Sequence, residues 1–423
     1  MGRAHAILPR PAGGRLPHFG RVAADPCGRA LTMDLNYTDD EKAFRERARA
    51  WLAENRPREP RPTEPQRAGA FDRAWQRKLF EGGYAGLNWP KEYGGAGYSL
   101  IEQLIWFEEV ARVHAPSLNA LAITINHAGP TLIARGTEAQ KAFHLPRMLC
   151  GESIWCQGFS EPGAGSDLAA LKTSGEISGD EIIVNGQKMW TSYGHLADYQ
   201  ELLIRTEPGS KRHHGLSWVI CDMKAPGIEV VPVTNMMGEL HVNMVFYDNV
   251  RIPLANVVGG VGEGWSVAMS TLSIERSLSF LTDQVELLQR VDDAFRLADR
   301  VKLEDGSAAR DDAGLMRRLA AVKADAFAVR AMTIANISRI AEGGSPGAEG
   351  SLLKLYATET CQRLAEIVRD MLGHEFLRYG SDRHSNHWTY EFMWAWVLTI
   401  SGGSSEIQRE IIADRLLGLP RSR

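Results

Sequence analysis

No stretch of about 20 apolar residues occurs in this chain of 423 residues, so no transmembrane helix is expected. Cysteine is scarce. The five (Cys27, Cys150, Cys156, Cys221, Cys361) are odd in number, widely spaced and without a Cys-x-x-Cys pair, which speaks against a disulfide framework and for a reduced, cytoplasmic protein. There is no excess of basic charge. The net charge is −4 with both signs mixed along the chain, which argues against the basic face that nucleic acid requires. The histidine clusters His213-His214 and His384-Ser-Asn-His387 lack a cysteine or Glu-x-x-His partner, so no metal site is expected there. Internal repeats and low-complexity tracts are also missing. What remains is a hydrophobic fraction of 44%, ordinary for a globular protein, and a length that suggests two or three domains.

Residues 1–32 are rich in Arg, Pro and Gly, with Asp25 as the only acid. They are expected to be disordered, or to precede a true start at Met33, because the prolines and glycines spoil an amphipathic targeting helix. From residue 33 to 153 the pattern is helical. Thr38-Asp-Asp-Glu41 is a capping box followed by Phe44, Ala48, Trp51 and Leu52 at helical spacing, and Thr137-Glu-Ala-Gln140 caps a later helix. A second helix is expected around Phe71–Phe80 after the proline-rich break at Pro57–Pro65. From 154 to 258 the period shifts to two, with short apolar runs between Gly, Asp and Asn turns, the mark of an antiparallel β-domain. Gly260-Val-Gly262-Glu-Gly264 follows no buried parallel strand and reads as a turn. From 259 to 423 the chain is helical again. Ile274, Leu278, Leu281, Val285 and Leu288 form the seam of a bundle, residues 375–390 are polar and irregular, and Ser405-Glu-Ile-Gln408 caps the last helix.

Two segments stand out. Cys156-Gln-Gly-Phe-Ser-Glu-Pro-Gly-Ala-Gly-Ser-Asp167 packs glycines and hydroxyls into one loop, where backbone can approach a flat ligand closely. Glu181-Ile-Ile-Val184 then runs into Asn185-Gly186, the favoured pair of a two-residue hairpin turn, and the returning strand carries Trp190 beside Thr191 and Ser192. A large aromatic among hydroxyls, facing a glycine loop, suits a planar heteroaromatic cofactor. A loop beside a β-meander with a core tryptophan fits the same residues.

Ser160-Glu-Pro-Gly-Ala-Gly-Ser-Asp167 and Asn185-Gly-Gln-Lys-Met-Trp-Thr-Ser192 resemble the two signature segments of the acyl-CoA dehydrogenases. The likeness extends more loosely from Tyr37 to Pro420, through Trp89-Pro-Lys-Glu-Tyr93 and Phe246-Tyr-Asp-Asn-Val-Arg-Ile-Pro253. It implies a multidomain α+β fold: an N-terminal helical domain, a middle antiparallel β-barrel or sandwich, and a C-terminal four-helix bundle. It further implies FAD, faced by Gln157, Phe159, Ser160, Ser166, Trp190 and Ser192, and contacted by Ser404, Ser405 and Glu406 at the last helix. Ser166 and Arg276 are implied on the substrate side.

The family removes an α-proton from an acyl-CoA thioester while the β-hydrogen leaves as hydride to flavin N5, which requires one carboxylate base. In many members that base is a glutamate just before the final helix. Here the matching position is Gly402, which has no side chain. Other members carry the base on the first bundle helix before an arginine, where this chain has Glu275-Arg276. Thr271, Leu272, Leu278 and Ser279, the helical neighbours of Glu275, include no cation, unlike the Glu286–Arg290 pair. Burial beside the apolar seam would raise its pKa toward that of a useful base. Two family passages, Arg-x-x-Phe-Gly and Gln-x-x-Gly-Gly-x-Gly, are replaced by Arg300-Val-Lys-Leu-Glu-Asp-Gly306 and Asp370-Met-Leu-Gly-His-Glu375. In the usual homotetramer those elements reach a neighbour's FAD. The chain is similar to the base-bearing chain of bacterial α₂β₂ enzymes that act on steroid-side-chain thioesters.

The expected activity is therefore FAD-dependent dehydrogenation of an acyl-CoA, with Glu275 as base and an electron-transferring flavoprotein as electron acceptor. The expected assembly is a homo- or hetero-oligomer, a dimer of dimers. Two alternatives stay open. One is a flavin oxidase or monooxygenase on the same scaffold, distinguished by rapid reoxidation with oxygen. The other is a non-catalytic partner subunit, which would have no need of Glu275.

Overall fold

The computed structural model describes residues 37–274, 281–341, 347–379 and 387–420. Glu275, Arg276, Leu278 and residues 1–32 lie outside them. Five helices open the chain: α1 (Asp39–Asn55), α2 (Pro65–Glu81), α3 (Leu100–Arg112), α4 (Gly129–Arg135) and α5 (Glu138–Leu149). Thr38 and Glu41 form the expected reciprocal cap of α1, and Thr137 and Gln140 that of α5. Ser99 and Glu102 make a third at α3. The helix expected around Phe71–Phe80 starts earlier, at Pro65, because proline lacks the amide that a first turn would leave unpaired. Between α3 and α4 the residues Thr124–Ala128 form a π-helical turn. Trp89 packs against it so closely that a β-carbon on Gly129 would meet the indole at 1.9 Å, and its Nε1 donates to the Ile125 carbonyl at 3.0 Å.

Eight strands follow: β1 (Trp155–Gly158), β2 (Ser174–Ser178), β3 (Glu181–Ser192), β4 (Tyr199–Arg205), β5 (Leu216–Asp222), β6 (Ile228–Val233), β7 (Val242–Pro253) and β8 (Val257–Val258). They form one sheet in the order β6-β7-β3-β2-β4-β5-β8, with β1 beside β4. Most pairs are antiparallel, but β1 and β2 each run parallel to β4. The glycines at 260, 262 and 264 form a turn between antiparallel β8 and α6 (Gly264–Ile274).

Asn185-Gly186 is not the hairpin turn. β3 runs straight through it, with a register shift against β7 between Val184 and Gly186. The β2–β3 turn is Gly179-Asp180, since Ser178 pairs with Glu181. Gly186 is still required: its φ is 143°, and a β-carbon there would meet Thr173 at 2.8 Å. The Asn185 side chain is used as well, its Oδ1 accepting from the Asn249 amide at 2.9 Å.

The second helical region comprises α7 (Leu281–Ala298), α8 (Ala313–Ala341), α9 (Glu349–Leu372), α10 (His387–Leu398) and α11 (Ser405–Arg415). Helices α7 to α10 share a core of their own, including Leu287, Leu319, Val329, Leu364 and Leu398. The buried seam of α7 is rotated from the expected one. It runs through Leu281, Gln284, Leu287 and Val291, leaving Val285 and Leu288 half-buried. Glu286–Arg290 is not an ordinary surface pair, because Arg290 also reaches Glu391 at 3.3 Å and all three side chains are largely covered. The cap of α11 is Ser404, one residue earlier than the expected Ser405. Part of the segment expected to be irregular, from His387 on, is helix α10. Helix α6 does not join the bundle: Val267 and Ala268 complete a core shared by the N-terminal helices and one sheet face, with Leu52, Trp89, Trp155 and Trp218. No helix among the described residues is long and apolar enough to cross a membrane.

Candidate functional site

Ile182, Val184 and Lys188 of β3 are buried on even-numbered positions, with Gly186 between them exposed, so the same phase would place residue 190 in the core. A bulge between Lys188 and Thr191 breaks the phase. Thr191 turns inward instead, and Trp190 is left 57% exposed at φ 63°. A non-glycine residue in the left-handed region costs about 1–2 kcal/mol. An exposed indole held at that cost is the kind of strain that marks a working site. It is therefore not a core tryptophan.

The loop from Ser160 to Asp167 is pinned beside this bulge. Met189 donates its amide to the Ser160 carbonyl at 2.8 Å. Lys188, fully buried, donates Nζ to the Phe159 carbonyl at 3.0 Å and to Glu161 Oε1 at 2.8 Å. Glu161 also accepts the amides of Lys172 and Thr173 at 2.7 and 2.9 Å. Burial pulls the Lys188 ammonium down to about 8, more than the Glu161 charge holds it up. Burial likewise presses on Glu161, but the Lys188 charge and hydrogen bond, with those from Thr173 and Lys172, keep its carboxyl below the ordinary value. Beyond the bulge, Asn243 Nδ2 donates to the Thr191 carbonyl at 2.9 Å, and the Tyr193 amide to the His241 carbonyl at 2.8 Å.

The sequence-derived set thus divides. Gln157, Phe159, Ser160, Ser166, Trp190 and Ser192 lie along β1, the following loop and the bulged end of β3, which these bonds tie together. Phe159 is buried, Gln157, Ser160 and Ser192 are half-buried, and Ser166 is exposed. Ser404, Ser405 and Glu406 stand apart at the start of α11, and no hydrogen bond joins them to the loop among the described residues. Their turn is held from α9, where buried Lys354 donates Nζ to the Gly403 carbonyl at 2.6 Å. Sequence reasoning missed Lys188, Glu161 and Asn243 as the pins. The phase of β3 was the available signal for Lys188, which falls in step with Ile182 and Val184.

A helical region, a sheet carrying a strained exposed tryptophan beside a glycine loop, and a closing bundle define a particular class of enzyme. Models of the N-terminal, middle and C-terminal domains of acyl-CoA dehydrogenases match residues 38–152, 156–250 and 262–417. The chain belongs to the acyl-CoA dehydrogenase family. It is 38% identical to the acyl-CoA dehydrogenase IpdE1 of Mycobacterium tuberculosis over 394 residues, 90% of this chain and 98% of that one. Among solved structures it is similar to a chain of the ChsE4-ChsE5 complex from Mycobacterium tuberculosis, with a TM-score of 0.79 and 33% identity, covering 92% of this chain and all of that one. The Tcur3481-Tcur3483 steroid ACAD matches with a TM-score of 0.79 and 30% identity, again over 92% and 100% of the two chains.

Members of this family are FAD-binding flavoproteins. The residues present fit that group. Trp190 offers an uncovered aromatic face, and Ser160 and Ser192 offer hydroxyls beside it. A β-carbon added at Gly163 or Gly165 would meet no atom within 4 Å, so the loop is open on that side.

Proposed function

We propose that this chain is the base-bearing subunit of a heteromeric acyl-CoA dehydrogenase acting on a steroid-derived thioester, with Glu275 accepting the α-proton and an electron-transferring flavoprotein receiving the electrons. The observation that carries the reading is the turn before α11. Gly402 and Gly403 have φ of 63° and 94°, a conformation that side-chain-bearing residues adopt only with strain. Gln408 Nε2 donates to both of their carbonyls at 3.0 Å. The place where many members carry their glutamate is here a glycine turn, and the α-proton still needs a carboxylate. Glu275, ahead of Arg276, is the sequence's alternative.

FAD, when bound, supplies the acceptor for the β-hydrogen with its electron pair. The chain's own part is to orient and to hold a proton. Trp190 would stack on the ring, Gln157, Ser160 and Ser192 would address its polar edge, and the start of α11 at Ser404–Glu406, where the helix dipole favours anions, would face phosphate oxygens. Glu275 takes the α-proton onto a carboxylate oxygen. The steroid substrate class is supported by the steroid ACAD among the similar structures, and the second subunit by the ChsE4-ChsE5 complex.

The test is purification of the chain alone and with the products of neighbouring genes, recording mass and flavin spectrum. Glu275→Gln in the flavin-loaded species should slow thioester-dependent bleaching by about 10²–10⁴-fold, the usual share of a positioned base, with FAD content unchanged. Bleaching at the wild-type rate would remove Glu275 from catalysis and make this chain a partner subunit. Fast reoxidation of the reduced enzyme by oxygen would instead make it an oxidase.

A further inference from the structure

Behind the proposed flavin face lies a polar group that the mechanism above does not use. Strands β1 and β4 run parallel with Gln157 opposite Glu201. Glu201 is completely buried, and Gln157 Nε2 donates to its Oε1 at 2.8 Å. His127, also buried, brings Nδ1 to 3.3 Å from Gln157 Nε2 and 3.8 Å from Glu201 Oε1. His127 comes from the π-helical turn, which is braced by Trp89 on one side. On the other side the Trp155 amide donates to Thr124 Oγ1 at 2.8 Å. A π-turn inserts an extra residue into a helix and is frequent at functional sites.

We infer that Glu201 and His127 are positioning residues that lock the Gln157 side chain with its carbonyl oxygen toward the ligand, making Gln157 an acceptor for the flavin ring N3–H. The NH₂ end of the amide faces Glu201, whose Oε1 accepts at 2.8 Å, and an ionised carboxylate has no proton with which to hold the carbonyl end there instead. Nδ1 of His127 takes the second N–H when the imidazole carries its proton on Nε2. Both donors of Gln157 then point inward. Its Oε1 has no hydrogen bond among the described residues and is the only polar function left to the half-buried outer side. Along the polar edge of an oxidised flavin, N1, O2, O4 and N5 are acceptors and N3–H is the single ring donor. A locked carbonyl therefore selects that one atom and repels the others. A glutamine without the carboxylate behind it could flip and serve either role.

This inference rests on the proposed cofactor-facing role of Gln157. The experiment is to strip FAD from the holoenzyme as purified and reload it with FAD or with 3-methyl-FAD, which lacks the N3–H donor. Affinity is read by flavin fluorescence, and folding of each protein is checked by its melting curve. Wild type should bind FAD at least tenfold more tightly than the methyl analogue. Gln157→Leu should bring that ratio close to one. Glu201→Gln, which is isosteric but lets the amide turn over, should reduce it most of the way, and His127→Leu should reduce it less. A stable Glu201→Gln protein that keeps the full ratio would overturn the positioning role. A wild type that binds both flavins equally would overturn the N3 contact by itself, whatever the variants do, and would leave the flavin site standing. A holoenzyme that never carries flavin would instead overturn the proposed function.

Discussion

Replacing Lys188 by Met tests whether the pinned loop matters. Nζ of Lys188 is sealed from solvent and holds two acceptors, the Phe159 carbonyl and Glu161 Oε1. Breaking a buried ion pair by removing one partner typically costs about 3–5 kcal/mol. The lower end, about 3 kcal/mol, applies here because Glu161 keeps the amides of Lys172 and Thr173. If that cost falls on the loop conformation that receives FAD, the affinity should weaken by about two decades. Without the lysine charge and hydrogen bond, Glu161 loses its largest downward causes and its pKa should rise from the depressed value. A depressed carboxyl contributes stability that is lost as pH falls through its folded pKa, so wild type forfeits that contribution on acidification and the Lys188→Met deficit should shrink. Glu161→Gln should cost at least as much, since its NH₂ must face a backbone amide. The double variant should match the worse single rather than the sum, because both act on one network. Urea unfolding and FAD titration measure all three proteins. A Lys188→Met loss under about 1 kcal/mol, or strict additivity in the double, would refute the reasoning.

Trp190→Ala should weaken FAD retention by about 1–3 kcal/mol, the value of an aromatic stacking platform, and an unchanged affinity would deny it the role of a cofactor wall. His144 is buried among Phe143, Trp155 and Tyr199, and burial, with the Arg147 charge, pulls its imidazole down to about 4. The unfolded state therefore binds a proton between pH 6.5 and about 4 that the folded state refuses, and about 3 kcal/mol of stability should be lost as pH falls through that window. His144→Phe should flatten the acid limb of a stability–pH curve, and an unaltered limb would exonerate the residue. Asp283 has the opposite sign. Burial, then Glu286, raise its carboxyl to about 7, so its contribution is present below the unfolded value and lost as pH rises through about 7. Asp283→Asn should melt higher than wild type at pH 8 and lose the advantage near pH 4.

Much of this was readable from local chemistry. The capping boxes at Thr38 and Thr137 and the change of period near residue 154 are signals confined to a few neighbouring residues, and they hold. The misreadings came from contacts distant in the chain. Asn185-Gly186 has the composition of a turn, but β7 pairs across it and Asn249 occupies the Asn185 side chain, so the strand continues. The outward tryptophan could not be taken from alternation, because the bulge shows only in the register against β7. The seam of α7 turned because Gln284 is buried with Thr333 of α8, a polar contact that an apolar stripe does not reveal. The Gln157–Glu201–His127 group joins three segments, and nothing in any one of them announces it.

The core shared by the N-terminal helices, the sheet and α6 also sets a timetable. Its first members, near Phe44, leave the ribosome long before its last, Val267 and Ala268. The N-terminal helices end at Leu149, so roughly 120 further residues must be made before their inner surface is covered. At about 5–20 residues per second that interval is some 6–24 s, during which Trp89, Leu132 and Trp155 have no complete cover. The bundle of α7 to α10 closes over its own core and keeps no such appointment.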